Sequence, residues 1–129
     1  MTKKTTPLIL IVEDDPASLM LASTVLQMAG FEVAGSASAE EARKSISRRK
    51  PSLILMDIGL PGMDGLDFTK ELKSRARTAS IPIVALTANN MPLYERAARA
   101  AGCEGFIAKP VSPAALTAEV RMFLNLGRK

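Results

Sequence analysis

Histidine is absent from the 129-residue sequence, and cysteine occurs only once. Without histidine the chain lacks the usual general base near neutral pH and the commonest side-chain ligand of transition metals. The lone Cys103 excludes an internal disulfide, and its place in the small-residue run 100–103 indicates a packed turn rather than a redox centre. Any chemistry must therefore use carboxylates, lysine and hydroxyl groups.

Long apolar runs are missing as well. The longest uncharged stretch, residues 16–31, is too short and too rich in Ser, Thr and Gln to span a bilayer. No basic start followed by an apolar run marks a secretory signal. We therefore expect a soluble, cytoplasmic protein, and the length predicts a single domain over residues 1–129 with a polar lead-in at residues 1–7.

Basic residues outnumber acidic ones, which gives a net charge of +4. Apart from short clusters at residues 3–4, 48–50 and 128–129, they are scattered through segments with a helical pattern. This distribution favours solvated helix ends over a nucleic-acid interface. We expect no direct binding to nucleic acid and no association with a membrane.

Five short runs rich in branched aliphatic residues predict strands. The first, third and fourth are continuously apolar, as expected of strands covered on both faces, whereas the second is weaker and fits an edge position. The predicted strands are Leu8 to Val12, Glu32 to Ser36, Leu53 to Met56, Pro82 to Leu86 and Gly105 to Ala108.

Helix signals lie between these runs. Asp15 followed by proline is typical of an N-cap, and Ser38 with Glu41 has the spacing of a capping box. Gly30 and Gly102 stand where helix C-caps belong. Strict alternation of strand and helix predicts an α/β fold with a doubly wound parallel sheet and helices on both faces. In such folds the active site lies beyond the carboxyl ends of the strands.

Polar side chains stand at the ends of four predicted strands, so the fold should bring them to one rim. Clustered carboxylates repel one another and normally need a cation, and oxygen ligands favour a hard ion such as Mg²⁺. A carboxylate beside a divalent cation, a lysine and a hydroxyl can attack phosphorus and form an aspartyl phosphate. The residues are Glu13, Asp14 and Asp15 after the first strand, then Asp57 as the nucleophile, Thr87 and Lys109.

Each of these residues also has a plainer interpretation. Asp15 is a typical helix N-cap, Thr87 alone is a strand-end hydroxyl, and Lys109 alone is a surface charge. The agreement of four strand ends favours the site.

Over essentially its whole length, the chain resembles the receiver domain of two-component response regulators, of the single-domain, CheY-like type. The resemblance is carried by Glu13-Asp14, the segment Asp57-Ile58-Gly59-Leu60-Pro61-Gly62-Met63-Asp64-Gly65, Thr87-Ala88 and Lys109-Pro110, in the family's order and spacing. It implies a flavodoxin-like sheet of five strands in the order 2-1-3-4-5.

The resemblance also implies the roles of the acidic residues. Asp57 would be the phospho-acceptor and, with Asp14, a direct ligand of Mg²⁺. Glu13 would act on the metal mainly through water, and Gly59 would offer its backbone carbonyl. The partners implied are a histidine kinase or a histidine phosphotransfer protein, and a downstream target protein.

For the remaining motif residues, the resemblance implies a switch. Thr87 and Lys109 would bind phosphoryl oxygens, and the bond between Lys109 and Pro110 would be cis. Phe106, which by itself suggests core packing, would be the switch aromatic. The chain would then be a signalling phospho-acceptor rather than an enzyme, one that assists its own phosphoryl transfer and dephosphorylation.

Other function classes remain open. One is a constitutive binding module, against which the complete acid cluster argues; another is a hydrolase with an aspartate nucleophile. Such hydrolases usually need a second acid two residues after the nucleophile, where this chain has Gly59. A DNA-binding regulator would need a reader domain that this sequence lacks, unless the chain is a fragment, for example of a larger hybrid kinase.

The first predicted helix has an uncharged face. Helical spacing predicts an inward set of Ser18, Leu21, Ala22, Val25, Leu26 and Ala29, and an outward set of Leu19, Met20, Ser23, Thr24, Gln27 and Met28. Since a solvated face would ordinarily carry charges, we interpret Leu19 and Met20 as part of a docking surface for the phospho-histidine partner. Packing against the fifth helix and a homodimer contact are the alternatives.

Overall fold

The computed structural model describes residues 6–58, 64–88, 92–109 and 112–127. Strands and helices alternate through these residues, as the sequence predicts. The strands are β1 (Leu8–Val12), β2 (Glu32–Ser36), β3 (Leu53–Asp57), β4 (Ile83–Thr87) and β5 (Gly105–Ala108). The helices are α1 (Pro16–Met28), α2 (Ala39–Arg48), α3 (Gly65–Lys73), α4 (Pro92–Ala101) and α5 (Pro113–Gly127).

The five strands form one parallel sheet in the order β2-β1-β3-β4-β5. This confirms the predicted doubly wound fold and the edge position of β2. Strands β1, β3 and β4 are buried at every residue, because helices cover both of their faces.

Alternate residues of each strand enter two separate cores. Leu10 and Val12 of β1 pack with residues of α2, α3 and α4, whereas Ile9 and Ile11 pack with residues of α1 and α5. This division follows from the two-residue period of a strand. Because all five strands are parallel, their carboxyl ends meet at one rim.

Local signals fix the helix ends. Asp15 caps α1 by accepting a hydrogen bond from the Ser18 amide at 3.0 Å, and Ser38 caps α2 by accepting from the Glu41 amide at 3.2 Å. Gly30 and Gly102 follow α1 and α4 with φ of +100° and +114°, the left-handed conformation that favours glycine. The predicted caps are therefore confirmed.

The predicted faces of α1 are wrong at two positions. Leu19 was expected outside, but it is partly buried and packs against the core, as Ala22 and Val25 do. Leu21 was expected inside, but it is 54% exposed. The reason is Gly35 of β2, where a Cβ atom would lie only 3.1 Å from Leu19 Cδ1: the missing side chain makes room for Leu19. Met20 does lie outside, with 71% exposure.

Cys103 is buried, and its Sγ lies 3.9 Å from Thr69 Oγ1, as expected of a packed thiol. Burial raises the pKa of this thiol, which keeps it protonated. None of the helices in the described part of the chain is long and apolar enough to cross a membrane.

Candidate functional site

The rim at the carboxyl ends of the strands gathers the polar residues that the sequence singles out. The pairing register aligns Val12 with Met56, Asp57 with Leu86 and Thr87 with Ala108. Glu13 and Lys109 each follow a strand directly, so both enter this rim. The ends of four strands therefore bring these residues to one rim, as predicted.

Three carboxylates form a compact cluster at the centre of the rim. One oxygen from each of Glu13, Asp14 and Asp57 lies within 4.8 Å of the others. Glu13 is only 2% exposed and Asp57 is buried, whereas Asp14 is exposed to solvent. An all-oxygen set of this charge fits a hard divalent cation such as Mg²⁺, because a cation offsets the repulsion between the carboxylates.

Lys109 supplies the positive charge of the site. Its ammonium group contacts Glu13 Oε1 and lies 3.7 Å from Asp57 Oδ2. Burial alone would lower the pKa of Lys109, but the hydrogen bond to Glu13 and the charge of Asp57 outweigh it, so the pKa is raised. Lys109 is therefore a permanent cation within reach of any group attached to Asp57.

Glu13 forms hydrogen bonds with the backbone in addition to its contact with Lys109. Its Oε2 accepts a hydrogen bond of 3.2 Å from the Asp15 amide, and its own amide donates to the Ser36 carbonyl at 2.9 Å. Burial, followed by the contact with Asp57, raises the pKa of Glu13 despite the opposing effect of Lys109. A cation bound in the cluster would favour the ionised form of this carboxyl group.

Asp15 does not belong to the carboxylate cluster; it is the N-cap of α1. Its Oδ2 accepts hydrogen bonds from the amide and the hydroxyl of Ser18, at 3.0 and 2.7 Å. These bonds lower the pKa of Asp15. The plain interpretation of Asp15 as an N-cap is therefore the correct one.

Thr87 and Phe106 occupy neighbouring positions on one face of the sheet. Phe106 pairs with Ala85, two residues before Thr87 on β4, so all three side chains project on the side of α2, α3 and α4. Thr87 is buried, and its carbonyl accepts a hydrogen bond of 2.7 Å from the Lys109 amide. Phe106 is partly buried against this core. Movement of Thr87 would thus change the space beside Phe106.

The backbone of Gly65 packs directly against the backbone of Asp57 and Ile58, a contact that was not predicted from the sequence. A Cβ atom at this position would collide with the Asp57 carbonyl oxygen and would lie 2.6 Å from Ile58 Cα. Glycine at the first residue of a helix, where better helix formers are available, is the signal that could have revealed this close approach.

An apolar cavity between α1 and α5 also escaped the sequence argument. It has a volume of about 310 Å³ and is lined mainly by aliphatic side chains, including Leu21, Val25 and Leu116. Glu13 and Lys109 are among its lining residues, so it adjoins the carboxylate cluster.

Two predicted features fall outside the described residues. Gly59, with the rest of the segment 59–63, is one, so its carbonyl as a metal ligand stays a prediction. Pro110 is the other, and the cis bond between Lys109 and Pro110 stays a prediction as well.

The sequence of this chain matches a known protein family. Residues 9–121 match the family model described as the response regulator receiver domain. The chain is 35% identical over 117 residues to the polar-differentiation response regulator DivK of Brucella ovis, covering 91% of this chain and 95% of that protein.

Solved structures agree with this match. The receiver domain of a sensor histidine kinase from Pseudomonas aeruginosa, which has a magnesium ion coordinated in its active-site cleft, is 30% identical. It has a TM-score of 0.86, with 94% of this chain and 99% of that chain covered. Chemotaxis protein CheY4 of Vibrio cholerae is 27% identical with a TM-score of 0.87, over 92% and 98% of the two chains.

Proposed function

The chain belongs to the response regulator receiver domain family, and on that premise we propose that it is a phospho-acceptor switch that is phosphorylated on Asp57. The observation that carries the proposal is the position of Asp57, which lies in the carboxylate cluster and 3.7 Å from the Lys109 ammonium group. Among the carboxylates in the described part of the chain, Glu13 is the one other that is buried, belongs to the cluster and lies beside Lys109. We propose Asp57 rather than Glu13 because the Lys109 ammonium group is already in contact with Glu13.

The phosphoryl donor in this proposal is a phospho-histidine on a histidine kinase or a phosphotransfer protein. An Asp57 carboxylate oxygen forms the new bond to phosphorus while the bond between phosphorus and the histidine nitrogen breaks, and the released imidazole takes up a proton. The product is an aspartyl phosphate. Mg²⁺, held by Asp14 and Asp57 directly and by Glu13 through water, would neutralise charge on the phosphoryl oxygens.

Lys109 and Thr87 complete the site. The Lys109 ammonium group would exchange its contact with Glu13 for one with a phosphoryl oxygen, and Thr87 would donate its hydroxyl to another. The same groups would assist attack by water on the aspartyl phosphate, so the protein would promote its own transfer and its own dephosphorylation. It would not turn over an external substrate, and in this respect it is a signalling protein rather than an enzyme.

The output would be a change of surface. If Thr87 moves toward the phosphoryl group, it vacates space on the side of the sheet where Phe106 packs, and Phe106 can turn inward. The surface of α4, β5 and α5 would change with it and bind a downstream target protein. The phosphoryl group can shift this equilibrium only by the difference between its affinities for the two states.

For the donor, we propose docking at the amino-terminal part of α1. Met20 is exposed there, and the apolar cavity between α1 and α5 opens beside Lys109. Of the two residues predicted for docking, we retain Met20 in this role, whereas Leu19 is partly buried and packs against the core. An apolar side chain of the histidine-bearing helix would fit the cavity next to the transfer site. Such a partner implies a cytoplasmic location.

Chemical mapping tests the acceptor assignment. After incubation with acetyl phosphate and Mg²⁺, borohydride reduces an aspartyl phosphate to homoserine, which marks the modified position for peptide sequencing. We expect homoserine at residue 57 alone. Homoserine at residue 14, or phosphate on a serine or threonine with residue 57 unchanged, would contradict the proposal.

A further inference from the structure

A second cavity, of about 600 Å³, lies at the opposite edge of the sheet, where the strands begin. Its walls come from the start of β1, the loops before β2, β3 and β4, and the last turns of α5. None of its lining residues belongs to the phosphorylation site or to the cavity between α1 and α5. The volume is in the range of small-molecule sites in proteins.

The cavity is positively charged. Lys50 and Arg121 line it, and no carboxylate from the described residues does. The neighbouring Arg49 is neutralised by Glu32 at 2.8 Å, whereas Lys50 has no ion pair within the described part of the chain. Arg121 donates one long hydrogen bond, of 3.5 Å, to the Ala29 carbonyl. Since a guanidinium group has five N–H donors, most of its donors remain for a ligand.

The end of α1 does little to oppose an anion here. A helix C-terminus normally disfavours negative charge through its unpaired carbonyl groups. The last carbonyls of α1 instead accept hydrogen bonds from the amides of Ala29, Gly30 and Phe31. Lys50 and Arg121 are therefore the charged side chains that an anion would meet in the described lining of the cavity.

The rest of the lining combines apolar surface with neutral hydrogen-bonding groups. Phe31 and Leu124 are half-buried, and Pro51 is buried. Ser52 and Asn125 are exposed and add a hydroxyl and an amide. The aromatic ring of Phe31 offers a surface for a flat ring system, and the Asn125 amide can form hydrogen bonds with the polar edge of such a ring.

We propose that this cavity binds a nucleotide-like organic phosphate, with its phosphate between Lys50 and Arg121 and its ring against Phe31. Both parts of this ligand have a counterpart in the lining: two cations in a lining without a carboxylate favour an anion, and arginine in particular suits phosphate. The apolar wall selects a ring system over a bare inorganic ion. The site lies at the far edge of the sheet from Asp57, so binding there requires no phosphorylation.

Titration of the full-length protein with AMP, in the absence of Mg²⁺, tests the proposal by amide NMR. We expect shifts at Phe31, Ser52 and Asn125, and none at Asp57 or Thr87. Adenosine and inorganic phosphate should each bind at least about tenfold more weakly than AMP, because each uses only half of the lining. GMP and CMP identify which base the cavity prefers.

Charge reversal at the two cavity cations tests the site further, with charge reversal elsewhere on the surface as the matched control. K50E/R121E should weaken AMP binding by about tenfold or more, whereas K44E/R96E, which changes the net charge equally at two exposed positions away from the cavity, should leave it unchanged. The single variants K50Q and R121Q repeat the test with milder changes. Shifts centred on Thr87, equal binding of inorganic phosphate, equal loss in the two double variants, or no shifts with millimolar AMP, GMP and CMP would each overturn the proposal.

Discussion

Lys109 holds its ammonium group against Glu13 Oε1, closer than the 3.7 Å that separates it from Asp57 Oδ2. The charged groups of Lys109, Glu13 and Asp57 thus lie close together, and the closer ion pair of Lys109 is with Glu13, which is not the proposed acceptor. This arrangement leaves Asp57 beside a cation without tying it into the tightest ion pair of the site. Asp14 has no ion pair within the described residues, so a cation bound in the cluster would offset its charge.

The first prediction concerns this charge. D14N should raise the melting temperature in EDTA by about 2 °C, because it removes repulsion with Glu13 and Asp57 while the contacts of Lys109 remain. It should also abolish most of the stabilisation that Mg²⁺ gives the wild type. Thermal unfolding with and without Mg²⁺ measures both effects, and E119Q on α5 should behave as wild type. A lower melting temperature of D14N in EDTA, with an unchanged Mg²⁺ effect, would contradict this role.

The second prediction concerns Gly65. G65A should destabilise the fold by about 2 kcal/mol and slow phosphorylation by acetyl phosphate, because the new methyl group displaces the backbone of Asp57 and Ile58. G30A is the matched control. Gly30 has a positive φ but no neighbour within 4 Å, so alanine there should cost about 1 kcal/mol and leave the phosphorylation rate unchanged. Equal rates in the two variants would refute the supporting role of Gly65.

The third prediction tests the switch. Beryllofluoride with Mg²⁺, a mimic of the phosphoryl group, should perturb the amide signals of Asp57, Thr87 and Phe106 in the wild type. T87A should keep the response at Asp57 but lose most of it at Phe106, since the side chain that links the site to the neighbouring strand is gone. NMR spectra of both proteins make the comparison. A full response at Phe106 in T87A would mean that the signal takes another route.

The fourth prediction separates docking from chemistry. M20E should slow transfer from the cognate phospho-histidine protein about tenfold, as the loss of an apolar contact would, and leave phosphorylation by acetyl phosphate nearly unchanged. M28E is the control, because Met28 is 84% exposed at the far end of the same helix. L19E should unfold or strongly destabilise the protein, because Leu19 packs against Gly35. Equal slowing by M20E and M28E would place docking elsewhere.

The sequence predicts the fold because its signals are local and repeated. Branched aliphatic runs, the Asp15 cap and the glycines after α1 and α4 each specify an element or its end. Strict alternation then leaves few topologies, and the strand ends carry the site to one rim. These features require no knowledge of distant contacts, which is why they could be predicted.

What the sequence could not predict depends on packing between distant elements. The orientation of α1 is set by a glycine on β2, so the periodicity of the helix alone misplaced Leu19 and Leu21. The preference of Lys109 for Glu13 over Asp57 depends on how the three side chains are placed relative to one another at the rim, which no motif encodes. The cavity at the amino ends of the strands is built from loops and one helix that lie far apart in the sequence.

The most direct test of the account is the intact mass of the protein after incubation with acetyl phosphate and Mg²⁺. We predict that the wild type gains one phosphoryl group, that D64N, which changes only the N-cap of α3, gains one as well, and that D57N gains none. The added mass should disappear in mild base, as for an acyl phosphate. A base-stable phosphoryl group on the wild type, or a phosphoryl group that persists on D57N, would contradict the assignment of Asp57 as the acceptor.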